Sequence, residues 1–480
     1  NTSQKIDISS EKERKPITKS SHKGRCEKKS KLPITYTIEV PILKEKLPDD
    51  AIFKGYDTVI VQNIKIVPDN IAYKIPIYYS PSTGKTYRGQ RPAGFEGEFG
   101  PDVRSLILIL KHVANVSESC IHSFLTNYGI SISKSSISRL SRKDAVLFAK
   151  DRENIVKSGI VSTEYQHIDD TSFRVKGKQY FTHILCNPFF SAYFTRPHKD
   201  RLTILEILCC GEKLRYILNE ISLNLLKVFK IPEKVVHYIT TSFDKKTMEE
   251  ERVNALLDSI PTKNKNLDQL RRRIKEALAI GWYLTQDIVP KIHYLMSDDA
   301  PQFRHITEEQ ALCWVHAGRN LKKLNPLIPI NIQELDKKLD EFWNLFRDIL
   351  EYQKNPELFD ISIFEEKFDQ MVSGSSNYSA LNAVIAKIKQ NKDKLLVPLK
   401  NPSIPLHNNP AELGARAQVR KRDVSLHSMS EDGKEAIDIF LKITQTAKKL
   451  GVNIAEYVYS TLTNSVSEPL SDIIQKRTGS

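Results

Sequence analysis

Apolar residues first recur in a strand-like pattern early in the chain. Two segments, residues 59–67 and 71–79, are rich in β-branched and aromatic residues, and the turn-forming residues 68–70 separate them. A second turn signal, Pro-Ser-Thr-Gly, follows at residues 81–84. We predict a small β-rich module over residues 51–92.

The spacing of apolar residues then changes to that of a helix. Ser117 is a candidate N-cap and Gly129 a stop signal for a helix whose apolar residues recur at offsets of three, four and seven: Ile121, Phe124, Leu125 and Tyr128. A second helix is predicted from Ser133, with two residues facing inward, Ile137 and Leu140. This pattern suits a helix-turn-helix and an ordinary helical hairpin equally well. We predict a helical, helix-turn-helix-like DNA-binding region over residues 93–160.

Strand-like and helical segments alternate over the rest of the chain. Strands are predicted at residues 165–175, 180–186, 192–195, 292–297 and 311–316, with a helix at 202–209. Two mainly helical blocks interrupt them, at about 211–290 and 321–404. This order is typical, among other α/β folds, of a ribonuclease-H-like catalytic core with helical insertions. We predict such a core over residues 161–455, followed by a C-terminal tail at 456–480.

The charge of the chain narrows the choice of partner. Its 72 Lys and Arg against 58 Asp and Glu give a net charge of +14, which favours a polyanion: nucleic acid first, and an acidic membrane second. No apolar run approaches the roughly 20 residues that span a bilayer, so no membrane span is expected. No secretory signal is recognisable either, and we expect a cytoplasmic protein.

The first 50 residues are polar and Lys-rich, which predicts a flexible basic leader able to contact phosphates. The sequence begins at Asn1 rather than Met, from which we expect a trimmed or partial N-terminus. The six cysteines include no C-x-x-C pair, so neither a zinc knuckle nor a disulfide framework is indicated. We predict reduced, mostly buried thiols.

Acidic residues near strand ends are candidates for metal-dependent DNA cleavage. Such chemistry uses two divalent ions about 4 Å apart, and hard cations of this type prefer carboxylate oxygens. In the strand predicted at 165–175, Asp169 and Asp170 point to opposite faces. An acid on an apolar face is costly unless it is paired or bound to metal, and Asp169 shares its face with Tyr165, Phe173 and Val175. Asp169 is therefore the better candidate.

The same argument selects an acid in the later strand. Asp298 lies on one face with three apolar or aromatic residues, Ile292, Tyr294 and Met296, whereas Asp299 points the other way. We therefore predict that Asp298, rather than Asp299, binds metal.

A third acid, Glu412, lies at the start of a predicted helix. Asn409 can cap this helix and Pro410 begin it. The spacing of Asn409 and Glu412 is also that of a capping box, and this purely structural role is as good an interpretation as metal binding. Arg416 and Arg420 follow Glu412 at one-turn steps, either as phosphate contacts or as a solvated basic face.

Five short segments taken together resemble bacterial insertion-sequence transposases, and most closely the insertion-sequence-sixty-six group. They are Ile-Asp-Asp-Thr at 168–171, Ser-Asp-Asp-Ala-Pro-Gln-Phe at 297–303, Cys-Trp-Val-His-Ala-Gly-Arg at 313–319, Asn-Asn-Pro-Ala-Glu at 408–412 with Arg-Lys-Arg at 420–422, and Thr-Ala-Lys-Lys-Leu-Gly at 446–451 followed by Tyr457. The resemblance covers roughly residues 100–460. The order and number of these segments make it far more specific than any single acid.

The resemblance implies that Asp169, Asp298 and Glu412 are the DDE triad of a ribonuclease-H-like core that uses Mg²⁺ or Mn²⁺. It implies that water cuts a phosphodiester at the element's end and that the freed 3′-hydroxyl then attacks target DNA. The partner would be DNA, both transposon ends and target, held by a homo-oligomer at the bacterial nucleoid. Candidate DNA-binding residues are Lys134, Arg139, Arg142, Lys199, Arg201, Arg416, Arg420, Lys421 and Arg422.

The chain also departs from that group. Relatives often carry N-terminal cysteine pairs that suggest zinc, and none occurs here, so we predict no structural zinc. Asp169 and Asp298 are 129 positions apart, more than expected, which marks residues 211–290 as an additional insertion. We interpret His316 as a satisfied core histidine rather than a metal ligand.

Three functions fit the sequence. The first is an active DDE transposase. The second is a catalytically inactive or repurposed DNA-binding protein derived from one, and the third is a related nuclease that hydrolyses DNA without joining strands.

Overall fold

The computed structural model describes residues 33–42, 47–48, 50–243, 247–260, 266–465 and 468–479. Most of the predicted basic leader lies outside these residues. The chain divides into two compact units, one ending at Asn70 and the other beginning at Ile71. The helices and strands of the described residues all lie in the second unit.

The predicted β-rich module is reduced to one short hairpin. Strand β1 (Ile77–Ser80) pairs antiparallel with β2 (Lys85–Arg88) across the turn at 81–84. The strand predicted at residues 59–67 and the first part of the one at 71–79 are wrong, because these residues belong to no strand in the described chain. β-Branched side chains favour a strand only where a neighbouring strand supplies the hydrogen bonds and packing.

The helical region begins with α1 (Pro101–His112), α2 (Glu118–Asn127) and α3 (Lys134–Val161). The predicted caps are confirmed, since the Ser117 and Ser133 hydroxyls accept hydrogen bonds from the backbone N–H groups of Cys120 and Ser136. A small core joins the three helices: Ile107, Ile121, Leu125, Ile132, Ile137 and Leu140. A helical hairpin has the same arrangement, so the helix-turn-helix remains a prediction.

A five-stranded mixed sheet forms the centre of the second unit. Its strands are β3 (Tyr165–Val175), β4 (Lys178–Cys186), β5 (Ser191–Arg196), β6 (Tyr294–Ser297) and β7 (Glu309–Leu312). They lie in the order β5-β4-β3-β6-β7, with the first three antiparallel and β3, β6 and β7 parallel. The predicted α/β class is confirmed, whereas the ribonuclease-H-like topology remains a prediction.

The first helical insertion separates β5 from β6. It comprises α4 (Arg201–Leu208), α5 (Glu220–Val228), α6 (Glu233–Ser242), α7 (Glu250–Asp258) and α8 (Leu267–Thr285). Helix α8 packs against α5, and Gly281 lets them approach closely, because a Cβ there would lie 2.7 Å from Oδ1 of Asn219 and 2.9 Å from Cβ of Ser222. Apolar residues of the insertion belong to the same core as β3 and α3.

The second helical insertion begins directly after β7. It comprises α9 (Trp314–Lys322), α10 (Pro329–Tyr352), α11 (Ile361–Met371), α12 (Ser379–Gln390), α13 (Lys392–Leu395) and α14 (Val397–Lys400). The strand predicted at 311–316 is therefore wrong beyond Leu312. The reason is the fully buried Trp314, which packs at the helix start against Phe342, Phe346 and Phe368.

The last four helices of the described residues are α15 (Asn409–Ser425), α16 (Glu431–Leu450), α17 (Ile454–Leu462) and α18 (Leu470–Thr478). Helix α16 packs against β5, where buried Asp438 accepts hydrogen bonds from the backbone N–H and the hydroxyl of Thr195. Helix α18 packs on α3. Within the described ranges, no helix combines the length and apolar character needed to cross a bilayer.

Candidate active site

Asp169 and Asp298 lie at the same level of two neighbouring parallel strands. Tyr165 pairs with Tyr294, and His167 with Met296. Continuing this register by two residues aligns Asp169 with Asp298, which directly follows β6. Tyr165 and Tyr294 pack against one apolar cluster, so the two aspartates four residues further on emerge on that same face.

The electrostatics of Asp169 show that acidic groups converge on it. Burial raises the pKa of Asp169 to about 7, and the negative charges of Asp298, Asp170 and Glu412 raise it as well, whereas the backbone N–H of Asp170 lowers it. Burial also raises the pKa of Asp298. Like charges held together in this way are stabilised by a bound cation.

The neighbouring aspartates are, by contrast, neutralised by protein groups. Asp170 accepts a 2.7 Å hydrogen bond from Gln302 and lies 3.6 Å from the Lys199 ammonium. Asp299 accepts from both Nε and Nη2 of Arg304, at 3.1 and 2.8 Å, and lies 3.3 Å from the Lys387 ammonium.

Asp169 and Asp298 have no such counter-charge. Asp169 accepts from the backbone N–H of Asp170 at 2.8 Å, and Asp298 from that of Ala300 at 3.0 Å. No Lys or Arg of the described chain forms an ion pair with either one. Two carboxylates side by side without a Lys or Arg partner fit a hard divalent cation. They are the member of each aspartate pair that strand parity selects.

Glu412 lies in the first turn of α15, and its carboxylate is held from α9. Arg319 donates to both carboxylate oxygens, at 3.3 and 3.1 Å, and Nδ1 of His316 lies 3.6 Å from Oε1. The capping box considered for Asn409 is wrong, because the helix begins one residue earlier than predicted and no side chain caps it. Glu412 is thereby free of that structural role.

Asn408 fixes the start of α15 against the sheet, a role that the sequence analysis missed. Its amide donates to the Ile168 carbonyl at 2.7 Å, and its Oδ1 lies 3.0 Å from Nδ1 of His167. Its backbone N–H donates to Sγ of Cys313 at 3.2 Å. These contacts place Glu412 near Asp169, and only the position of Asn408 immediately before Asn-Pro could have suggested them.

Burial keeps His167 neutral, which fixes the direction of its bond to Asn408. Burial lowers the pKa of His167 to about 3. The Asn408 amide nitrogen already donates to the strand, so its oxygen accepts, and Nδ1 of His167 must carry the proton.

Gly414 allows α15 to lie close to β4. A Cβ at this position would lie 2.8 Å from Cγ2 of buried Ile184 and 3.3 Å from the Tyr193 hydroxyl oxygen, which donates to the Gly414 carbonyl. Overpacking costs about 1–3 kcal/mol, whereas alanine in place of a helical glycine gains about 1 kcal/mol. We expect Gly414→Ala to lower the free energy of unfolding by roughly 1 kcal/mol, measured by denaturant titration.

The matched control for this substitution is Leu413→Ala, at the exposed neighbouring position, which should change stability by less than about 0.5 kcal/mol. A Gly414→Ala protein more stable than wild type would show that α15 has room to move away from the sheet.

The candidate DNA-binding residues differ in how exposed their side chains are and in which protein groups they contact. Five side chains are exposed: Lys134, Arg139, Arg142, Arg416 and Arg420. Lys199 is half-exposed and lies near Asp170. Arg422 donates to the carbonyl and hydroxyl of Ser172.

Two of the candidates have protein partners in the structure. Lys421 is 4% exposed, and its ammonium bonds to the Lys111 carbonyl at the end of α1. Arg201 pairs with buried Glu276 at 2.6 Å and donates to the Arg304 carbonyl. The sequence could not show this, because charge and spacing do not reveal which face of a helix is covered.

The interpretation of His316 as a satisfied core histidine is also wrong. Its side chain is 36% exposed, and its Nδ1 is buried without a hydrogen-bond partner in the described chain. Burial lowers the pKa of His316, whereas the charges of Glu412 and Asp298 raise it, so the ring lies near both of these acids.

Comparison with known proteins agrees with the resemblance found in the sequence. Residues 284–436 match the model of a family described as "Transposase IS66 family". An uncharacterized protein, y4jO of Sinorhizobium fredii, is 29% identical over 311 residues, which are 63% of this chain and 93% of that protein. The matched family segment contains Asp298 and Glu412, whereas Asp169 precedes it. A transposase-related function follows for this part of the chain.

Proposed function

We propose that this chain, whose residues 284–436 are those of an IS66-family transposase domain, cuts DNA at the ends of a mobile element and joins them to target DNA. In this proposal Asp169, Asp298 and Glu412 are the DDE triad of a ribonuclease-H-like core. The five-stranded mixed sheet with its two helical insertions supports that core.

One observation carries the proposal. Two aspartates from distant parts of the sequence, Asp169 and Asp298, lie side by side without an ion pair to any Lys or Arg of the described residues, while their neighbours Asp170 and Asp299 are paired. A purely structural role would leave no reason for this difference, since unpaired buried carboxylates are destabilising.

The chain's own residues position the reaction. Asp169 and Asp298 are the residues that would hold Mg²⁺ or Mn²⁺ between them, with Glu412 as the third ligand. When bound, the metal supplies activation of the attacking oxygen and neutralisation of the leaving oxygen. Asn408 fixes Glu412 relative to β3, and Arg319 orients its carboxylate. Each step is a displacement at phosphorus by water or by the freed 3′-hydroxyl, without a covalent enzyme intermediate.

The exposed basic side chains would contact the DNA backbone. Arg416 and Arg420 follow Glu412 at one-turn steps on α15, so phosphates bound there would lie beside the carboxylates. Lys134, Arg139 and Arg142 project from the first half of α3. In this proposal the protein acts as a homo-oligomer that brings two element ends together. It would act in the cytoplasm, at the bacterial DNA.

The test uses DNA carrying the element's own ends, incubated with wild-type protein and target DNA, with and without Mg²⁺. We expect cut and joined strands only when Mg²⁺ is present. Cut strands without joined products would instead identify a hydrolytic nuclease. DNA that is bound in a salt-dependent manner but remains uncut would identify an inactive DNA-binding protein.

A further inference from the structure

Cys313, His316 and Glu412 form a second group of ligand-type side chains beside the triad. Each offers one ligand atom, and these sulfur, nitrogen and oxygen atoms all lie within 4.8 Å of one another. Nδ1 of His316 has no hydrogen-bond partner in the described chain and lies 3.6 Å from Oε1 of Glu412. An unpartnered buried nitrogen facing a carboxylate has a physical reason if a cation binds between them.

The local fold explains why these residues meet. Cys313 is the N-cap of α9 and His316 lies three positions later, so both project from the same face of the first helical turn. Asn408 links the two helices by donating its backbone N–H to Sγ of Cys313, and Glu412 follows one turn later on α15. Two helix starts thus contribute to one cluster.

We propose that Cys313, His316 and Glu412 bind a zinc ion. Thiolate and imidazole ligands select Zn²⁺ over Mg²⁺, which prefers oxygen. Three protein ligands would leave a fourth tetrahedral position for water or DNA. The absence of N-terminal cysteine pairs led to the prediction of no structural zinc, and a Cys-x-x-His segment completed by a distant acid lies outside that pattern.

Metal binding by Cys313 requires the loss of the thiol proton, which its buried environment opposes. Burial raises the pKa of Cys313 to about 11, while backbone N–H groups of His316 and Asn408 lower it. The thiol is therefore protonated without metal, and zinc must displace that proton. A metal on Oε1 of Glu412 would replace the contact from Nη1 of Arg319, while Nη2 can remain on Oε2 at 3.1 Å.

Sharing Glu412 couples this zinc site to the triad, a consequence that rests on the proposed function. A carboxylate held by zinc against His316 is no longer free to complete the magnesium site beside Asp169 and Asp298. Zinc should therefore inhibit DNA cutting.

Binding is tested with Co²⁺ as a spectroscopic substitute for zinc. The parent protein for this test is the full chain with Cys26→Ser and Cys120→Ser. These substitutions remove a thiol outside the described residues and an exposed thiol. We expect a thiolate-to-cobalt charge-transfer band at one equivalent of Co²⁺, displaced by Zn²⁺. Cys313→Ser should abolish the band, and His316→Ala should weaken Co²⁺ binding at least about tenfold.

The matched control is Cys210→Ser, since Cys210 is also buried and burial raises its pKa to about 11 as well. This variant should keep the band. Absence of the band in the parent chain, or an unchanged band in Cys313→Ser and His316→Ala proteins that show native circular dichroism, would overturn the proposal.

The coupling is tested separately by adding Zn²⁺ to the Mg²⁺-dependent cutting assay and comparing each protein with its own rate without zinc. Zinc should slow the Cys210→Ser protein more strongly than Cys313→Ser. Equal inhibition of the two would refute the coupling through Cys313. A chain that never cuts DNA yet shows the cobalt band would refute the proposed function and leave the zinc site standing.

Discussion

Asp298→Asn should bind DNA as wild type does but fail to cut it. The substitution removes one negative charge from the place where Asp169 and Asp298 lie side by side, and metal stabilisation of the transition state amounts to several kcal/mol. A loss of about 4 kcal/mol lowers the cutting rate about a thousandfold. The rate is measured on DNA carrying the element's ends, and DNA affinity by a gel-shift titration on the same fragment. Mn²⁺ binding should weaken in parallel.

The matched control for this substitution is the neighbouring acid. Asp299→Asn removes the same charge one residue away, but that carboxylate is held by Arg304 and Asn391 rather than facing Asp169. It should cut DNA within a few-fold of wild type. If Asp299→Asn abolished cutting while Asp298→Asn did not, the assignment of the two acids would have to be reversed.

Arg201→Ala should unfold more easily without losing DNA affinity. Arg201 pairs with Glu276, whose side chain is 5% exposed, and its guanidinium lies 4.8 Å from the ring centre of Phe229. Removing one partner of a buried ion pair costs about 3–5 kcal/mol. Arg272 remains 3.8 Å from the Glu276 carboxylate, so we expect a loss of about 3 kcal/mol in the free energy of unfolding. Adding Glu276→Leu should recover part of it.

Arg416→Ala provides the opposite case, because its side chain is exposed and unpaired in the described chain. It should weaken DNA binding and reduce the salt dependence by about one counterion, while stability changes by less than about 0.5 kcal/mol. A folded Arg201→Ala protein with weakened DNA binding would restore Arg201 as a DNA contact.

Local signals in the sequence predicted the fold where they agreed with tertiary packing. The strand pattern predicted the bounds of β3, and capping chemistry predicted Ser117 and Ser133 as helix N-caps. The structure confirms both predictions. Residues 59–67 carry an equally good strand pattern but have no partner strand in the described chain. Pairing partners are set by the whole fold, which a local pattern does not contain.

The acidic residues of the candidate site could be predicted from the sequence, but the residues that contact and position them could not. Strand parity alone separated Asp169 from Asp170, because the cost of burying a charge depends on which face it occupies. Asn408, Arg319 and the open nitrogen of His316 were not predictable in the same way. Their roles depend on hydrogen bonds between helices and strands that are far apart in the sequence.

The first helical insertion also bears on which strands of the sheet can pair early in folding. The turn at residues 176–177 lets β3 and β4 pair early, whereas β3 can meet β6 only after the insertion between them has closed a loop of more than a hundred residues. Loop closure costs about 0.6 kcal/mol more for each doubling of length, and it delays such pairings. We therefore expect the β3–β4 hairpin to form before Asp169 and Asp298 are aligned. Cutting ability, on the proposed function, is among the last properties that a folding chain acquires.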